Sequence, residues 1–194
     1  MQHLLAPYSK KLESFAWWEG AFTEQQLNWL QAKAKEAKNE ALVGSGGNAV
    51  INESVRRSEL NWLHKDPECE WVFERLAHVA AKLNADFFNF DLTGFNEALQ
   101  LTNYHEARQG NYTWHQDFGN EGLSRKLSMV LQLSDPNEYE GGELQLLTAK
   151  EPTTIRKKRG LITVFPAWTL HQVTPVVKGT RQTLVTWISG PAFK

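Results

Sequence analysis

The residues of this chain best suited to chemistry are two histidines and an aspartate, placed as His115-Gln116-Asp117 and then His171. The stretch Trp114-His115-Gln116-Asp117 reads as an extended strand. Successive strand side chains point to opposite faces, so His115 and Asp117 can reach one point in space while Gln116 turns away. His171 arrives fifty-six residues later on a separate strand. Two imidazoles and one carboxylate on one side of a metal leave the opposite positions open. That donor set suits a non-heme Fe(II) ion that must also bind a cosubstrate and dioxygen. A His-x-Asp alone is weak, because six histidines and twenty-two acidic residues make chance pairs easy. The distal context strengthens it. His171 follows Phe165-Pro166-Ala167-Trp168 and precedes Val173-Thr174-Pro175, and ten residues beyond it stands Arg181 at the start of a strand. A guanidinium is always charged and pairs bidentately with a carboxylate. Beside a metal, Arg181 suits 2-oxoglutarate, whose keto-acid end can chelate the ion while its far carboxylate meets the arginine.

These residues need a scaffold. The first third reads helical. Thr23 and Gln26 have capping-box spacing, and Leu27, Leu30, Ala34 and Ala37 recur at helical intervals. Gly44-Ser45-Gly46-Gly47 reads as a loop. Asp66-Pro67 reads as an N-cap with proline at the first helical position, ahead of the apolar face Val72, Leu76, Val79 and Leu83. From Phe87 onward β-rich runs follow one another over residues 87–92, 99–104, 127–133, 143–147, 161–165, 172–177 and 183–188. Turn signals separate them at Asp135-Pro136-Asn137, Gly141-Gly142 and Lys178-Gly179; Gly141-Gly142 fits a tight turn or a bulge. Most of these runs have no helix-length segment between them, so an antiparallel stack is predicted. The fold class is α+β and mainly β: a double-stranded β-helix, the cupin-like jelly roll, covered by N-terminal helices. The expected organisation is one domain over 1–194, with helical support over about 20–85 and the jelly-roll core over about 87–190.

Composition narrows the function classes. The 41% apolar and 22% charged content is ordinary for a globular chain, and 194 residues are enough for a sizeable core. A net charge of −1 argues against a nucleic-acid partner. The single cysteine, Cys69, excludes an internal disulfide and a thiolate zinc cluster within one chain. No apolar run reaches membrane-span length and no secretory signal is read, so the expectation is a cytoplasmic protein without a membrane partner. The run Arg156-Lys157-Lys158-Arg159 reads as a solvated loop before an anion site. Val55-Arg56-Arg57-Ser58 can bring an arginine to a pocket mouth, but its place is not fixed by sequence.

Residues 115–181 resemble the catalytic core of the prolyl 4-hydroxylase-like Fe(II)/2-oxoglutarate dioxygenases, in particular the bacterial PKHD-type hydroxylases. The resemblance is carried by Tyr112-Thr113-Trp114-His115-Gln116-Asp117, by Leu127-Ser128-Met129-Val130-Leu131-Gln132-Leu133-Ser134-Asp135-Pro136, by Tyr139-Glu140-Gly141-Gly142-Glu143-Leu144, and by His171-Gln172-Val173-Thr174-Pro175 with Gly179-Thr180-Arg181. It covers residues 99–188, about half the chain. It implies His115, Asp117 and His171 as iron ligands and Arg181 as the 2-oxoglutarate anchor. Tyr104 matches a family tyrosine of the cosubstrate pocket, and Tyr112 matches a second pocket aromatic. Ser128, Val130 and Gln132 share one strand face, which assigns Ser128 and Gln132 to the same pocket. Some relatives carry a tyrosine where Gln132 stands, to bond the distal carboxylate; an amide stands here. Val185 and Trp187 share the face of Arg181. The resemblance implies C–H hydroxylation with release of succinate and carbon dioxide, on a prolyl or other residue of a protein. It implies Fe(II), 2-oxoglutarate and dioxygen, with ascorbate as supporting reductant. Two alternatives stay open: hydroxylation of a free amino acid or small metabolite, and a non-oxidative cupin-like metal-binding protein, which has no use for Arg181.

Overall fold

A strand that is apolar on alternate residues must bury one face, and two sheets here are built on that rule. The computed structural model describes residues 12–37, 39–43, 50–118 and 124–192. The loop expected at Gly44-Ser45-Gly46-Gly47 lies outside the described residues. Among those described, the strands are β1 (Ala16–Trp18), β2 (Asn39–Glu40), β3 (Arg56–Arg57), β4 (Glu59–Leu63), β5 (Leu99–His105), β6 (Asn111–His115), β7 (Arg125–Gln132), β8 (Tyr139–Gly141), β9 (Leu144–Leu146), β10 (Thr153–Thr154), β11 (Ile162–Pro166), β12 (His171–Val173) and β13 (Val176–Ser189). The helices are α1 (Glu24–Lys35) and α2 (Glu70–Leu83). The larger sheet runs β1-β11-β7-β13-β5-β4-β2 with β8 attached to β13, and the smaller runs β10-β9-β12-β6-β3. Every pairing is antiparallel. This is the double-stranded β-helix architecture that the sequence predicts.

The helices cover one face of the larger sheet. Thr23 and Gln26 close the expected capping box, Gln26 N–H donating to Thr23 Oγ1 and Thr23 N–H to Gln26 Oε1. Leu27, Leu30 and Ala34 of α1 and Val72, Leu76, Val79 and Leu83 of α2 are buried against Leu127, Met129 and Leu131 of β7 and Leu184 and Ile188 of β13. Each fully buried leucine of this kind contributes about 2–3 kcal/mol relative to exposure. The alternate residues of the same strands, Ser128, Val130 and Gln132 on β7 and Thr183, Val185 and Trp187 on β13, therefore face the second sheet. A small core of Val130, Leu144, Leu146 and Phe165 joins the two sheets at one end. Elsewhere they part to leave a cavity.

Several local expectations change. Residues 87–92 form no strand: the chain leaves α2 through a π-helical turn over Asn84–Phe88, and Asn89 adopts φ 56°. The Asn84 amide brackets Phe90 from both sides, so the aromatic residues here fill space at a helix end rather than pair in a sheet. Asp66 is not the N-cap of α2, which begins behind Cys69; Asp66 instead accepts the Cys69 N–H at 2.9 Å and closes the preceding turn. The N-terminal third supplies strands β1 to β4 as well as helices, with β1 edging β11 and β4 pairing β5. The run 172–177 breaks at Thr174-Pro175, where proline lacks the N–H a ladder needs. Lys178-Gly179 is not a turn but a bend inside β13. The strand pairs Gly179 with Tyr139 of β8 and Thr180 with His105 of β5, passing from one partner to the next.

Gly179 makes that passage with φ 72°, and an added Cβ would lie 2.1 Å from the Glu138 carbonyl oxygen. Both the conformation and the contact exclude a side chain. Gly179→Ala is expected to cost more than about 1 kcal/mol in urea unfolding. An unchanged unfolding midpoint would show that the bend is not required.

Candidate metal centre and its cavity

β6 and β12 are neighbours in the smaller sheet, and their register sets His171 opposite His115. Asp117 lies two residues past the end of β6, in a tail that its own N–H fixes by donating to Ala167 O at 2.8 Å. One ligand atom from each of the three residues falls within 4.8 Å of the others. His115 Nδ1 is 2.7 Å from Thr113 O, and His171 Nδ1 is 2.9 Å from Thr169 O. A carbonyl only accepts, so each Nδ1 carries the proton and each Nε2 offers its lone pair. His115 Nε2 stands 3.7 Å from Asp117 Oδ1, and His171 Nε2 stands 3.4 Å from Asp117 Oδ2. Ser128 Oγ donates to Asp117 Oδ2 at 2.8 Å. The Tyr112 ring stacks on His115 with centroids 3.4 Å apart, and Phe165 meets His171 edge-on. Two neutral imidazoles and a carboxylate, each anchored by a second bond, fit a divalent iron with open positions.

Without a metal ion, the electrostatics treat the two imidazoles differently. Burial, reinforced by His171, lowers His115 to about 4. Burial pushes the Asp117 carboxyl up, but His171 and His115 together hold it well below the usual carboxylate range. Burial lowers His171, yet the Asp117 charge and hydrogen bond outweigh it and raise the group.

The triad opens on a cavity of about 780 Å³, also lined by Arg181, Tyr104, Tyr112 and Trp187. Arg181 is 3% exposed and lies over the Tyr104 ring, 5.5 Å from its centroid. Gly142, at φ 61°, leaves room for its stem: an added Cβ would come within 3.0 Å of Arg181 Cδ. Gln132 Nε2 donates to the Tyr139 hydroxyl at 3.1 Å, and that hydroxyl lies beside the Arg181 guanidinium. Burial raises Tyr139, against the pull of Arg181. Tyr139 and Gln132 line a small recess on the far side of Arg181 rather than the cavity that the triad opens on. The sequence marked Tyr139 only as part of a turn motif. Ser128 directs its hydroxyl to Asp117, and Gln132 directs its amide to Tyr139. Arg56, left without a place by the sequence, is also in the cavity wall, where its guanidinium carbon lies 4.6 Å from the Tyr112 ring centroid. Only the pairing of β3 with β6 brings it there, and no local pattern signals that pairing. The basic run 156–159 is matched within the chain: Arg156 and Lys158 pair with Glu19, Lys157 with Glu143, and Arg159 with Glu24.

Fold and site together describe a jelly roll with a His-x-Asp…His cluster that could hold a metal ion. Residues 99–189 match the model of the 2OG-Fe(II) oxygenase superfamily. The chain is 42% identical over 87 residues to a PKHD-type hydroxylase of Prochlorococcus marinus, a match covering 44% of this chain and 39% of that protein. It is 43% identical over 81 residues to a PKHD-type hydroxylase of Synechococcus, covering 40% and 36%. The chain therefore spans less than two fifths of the length of these curated relatives. A prolyl-4-hydroxylase structure from Pseudomonas putida superposes with a TM-score of 0.71 at 18% identity, over 92% of this chain and 94% of that one. A prolyl hydroxylase from Trichoplax adhaerens, in complex with a hypoxia inducible factor peptide fragment, superposes with 0.74 at 15% identity, over 91% and 84%. The resemblance read from the sequence is thus found again, and the Fe(II), 2-oxoglutarate and dioxygen expected there are the ones the matched superfamily implies. Among the described residues no helix is long and apolar enough to cross a membrane.

The pKa pattern sets a proton count. By about pH 5.5 His115 is mostly neutral and Asp117 is ionised, while His171 keeps its proton to higher pH than an ordinary histidine. At about pH 5.5, Co(II) binding is expected to displace close to one proton, because metal ligands must be deprotonated. Calorimetry in two buffers of different ionisation enthalpy reads the count, and a release of two would mean that His115 is not held neutral.

Proposed function

We propose that this chain acts as one domain and is an Fe(II)- and 2-oxoglutarate-dependent dioxygenase that hydroxylates a C–H bond. The observation that carries this reading is the convergence of His115 Nε2, Asp117 and His171 Nε2 in one cavity with the buried Arg181. His115, Asp117 and His171 hold the metal, and Arg181 binds the distal carboxylate of 2-oxoglutarate beside Tyr139 and Tyr104. Bound Fe(II) with 2-oxoglutarate and dioxygen supplies oxidation of an unactivated C–H bond, with succinate and carbon dioxide as coproducts. The side chains supply position. The two Nδ1–H···O=C bonds fix both imidazoles with Nε2 inward, and Ser128 holds Asp117 Oδ2 so that the carboxylate cannot rotate freely. Gln132 bonds Tyr139, whose hydroxyl lies beside the Arg181 guanidinium, so that this cation is a fixed donor for the cosubstrate between the two sheets. No side chain need serve as general base. The substrate is a prolyl or other residue of a protein or peptide, a reading supported by the peptide bound in one structural relative; a free amino acid is the second reading, favoured by the buried Arg56 in the cavity wall.

Asp117→Ala is expected to abolish 2-oxoglutarate turnover while circular dichroism stays native. Full activity in that variant would remove the metal site. Arg181→Ala is expected to raise the 2-oxoglutarate needed for half-saturation by about 10- to 100-fold, the usual effect of losing a charge-assisted pair. The reading is an anaerobic titration of the Fe(II) protein followed by its metal-to-ligand charge-transfer band, and an unchanged midpoint would sink the role of Arg181.

A further inference from the structure

Arg56 is 7% exposed, yet among the described residues no carboxylate pairs with it. Its Nε donates to Ser58 Oγ at 2.8 Å and its Nη2 to Gln100 Oε1 at 2.9 Å, both neutral oxygens. Tyr112, its cross-strand partner, takes the guanidinium against its ring and stacks in turn on His115. The other cavity charges are matched differently. Arg125 pairs with Glu97, and Glu40 pairs with Arg108 outside the wall. Among the described residues, Arg181 and Arg56 are cavity arginines with no ion-pair partner. On the reading above, the charges of Fe(II), Asp117, dianionic 2-oxoglutarate and Arg181 cancel. The charge of Arg56 is left over in a largely desolvated wall, where an uncompensated ion is costly.

We propose that Arg56 is the anchor for a carboxylate on the substrate, so that this cavity takes an acidic substrate beside the metal. The planar fork of Arg56 has N–H groups beyond the two already bonded, and bidentate pairing with a carboxylate is what such a fork does best. A carboxylate seated there stands one aromatic ring away from His115, within the same cavity as the metal ligands. It can belong to a free amino acid or to the C-terminal residue of a peptide.

This proposal rests on the Fe(II)/2-oxoglutarate reading, and the experiment separates the two. The anaerobic protein loaded with Fe(II) and 2-oxoglutarate is titrated with three matched sets of probes. These are the free L-amino acids, the same amino acids as primary amides, and short peptides ending in each residue as acid or amide. The charge-transfer band is followed throughout. One or more carboxylate probes are expected to perturb the band while their amides do not. Arg56→Gln is expected to weaken that binding about 10- to 100-fold with the band itself retained, and Arg56→Lys is expected to recover part of it. Stronger binding by the free amino acid or by the peptide acid names the source of the carboxylate. Equal binding of acid and amide, no carboxylate probe perturbing the band, or unchanged affinity in Arg56→Gln would each overturn the proposal while the band stands. Absence of the band in the wild-type protein would remove the underlying reading and this one with it.

Discussion

The register between β6 and β12 is the constraint on which the rest depends. It sets His171 opposite His115, and a slip of one residue would turn one imidazole to the other face of the sheet. Everything around the pair holds that register. β9 pins the far side of β12 by pairing His171 with Leu146, and the Asp117 tail is tied to Ala167. The carbonyls of Thr113 and Thr169, which orient the two imidazoles, belong to the same two segments, so ring orientation and strand placement are set together.

β13 carries the second constraint. Its fourteen residues face three environments in turn: Val176 lies near β8, Arg181 in the cavity, and Leu184 and Ile188 in the core beneath the helices. The same strand therefore ties the cavity cation to the main hydrophobic core. Gln182 extends the link to α1 by bonding Gln31 and Asn103, whose amide in turn satisfies Ala34 O near the helix end. The helices thus brace the wall that holds Arg181, although they contribute no group to the centre.

The parts of this structure legible in the sequence were those set by local periodicity or by donor chemistry. The capping box at Thr23, the buried face of α2 and the alternation along β7 follow from short-range pattern. The candidate triad was visible because the His115-x-Asp117 pair is followed by His171 and, ten residues further on, by Arg181. What escaped depends on pairings between distant residues. Arg56 reaches the cavity only because β3 joins β6, and Tyr139 reaches Arg181 only because β8 pairs β13 across a bend at Gly179. The aromatic run at Phe87, Phe88 and Phe90 read as a strand because large apolar residues suit strands; here it packs a helix terminus instead. Lys178-Gly179 read as a turn because glycine punctuates chains, and only the partner strands show that the chain continues through it.

The antiparallel ladders have a kinetic consequence. β1 pairs Ala16 with Val164, β3 pairs Arg56 with Tyr112, and β13 pairs Leu184 with Leu101. These partners are far apart along the chain, so long loops must close before their contacts repay the lost entropy. High contact order of this kind slows folding relative to helical proteins of the same length. The three ligands come together only when such closures are complete, so the newly synthesised chain lacks an assembled metal centre until its sheets are formed.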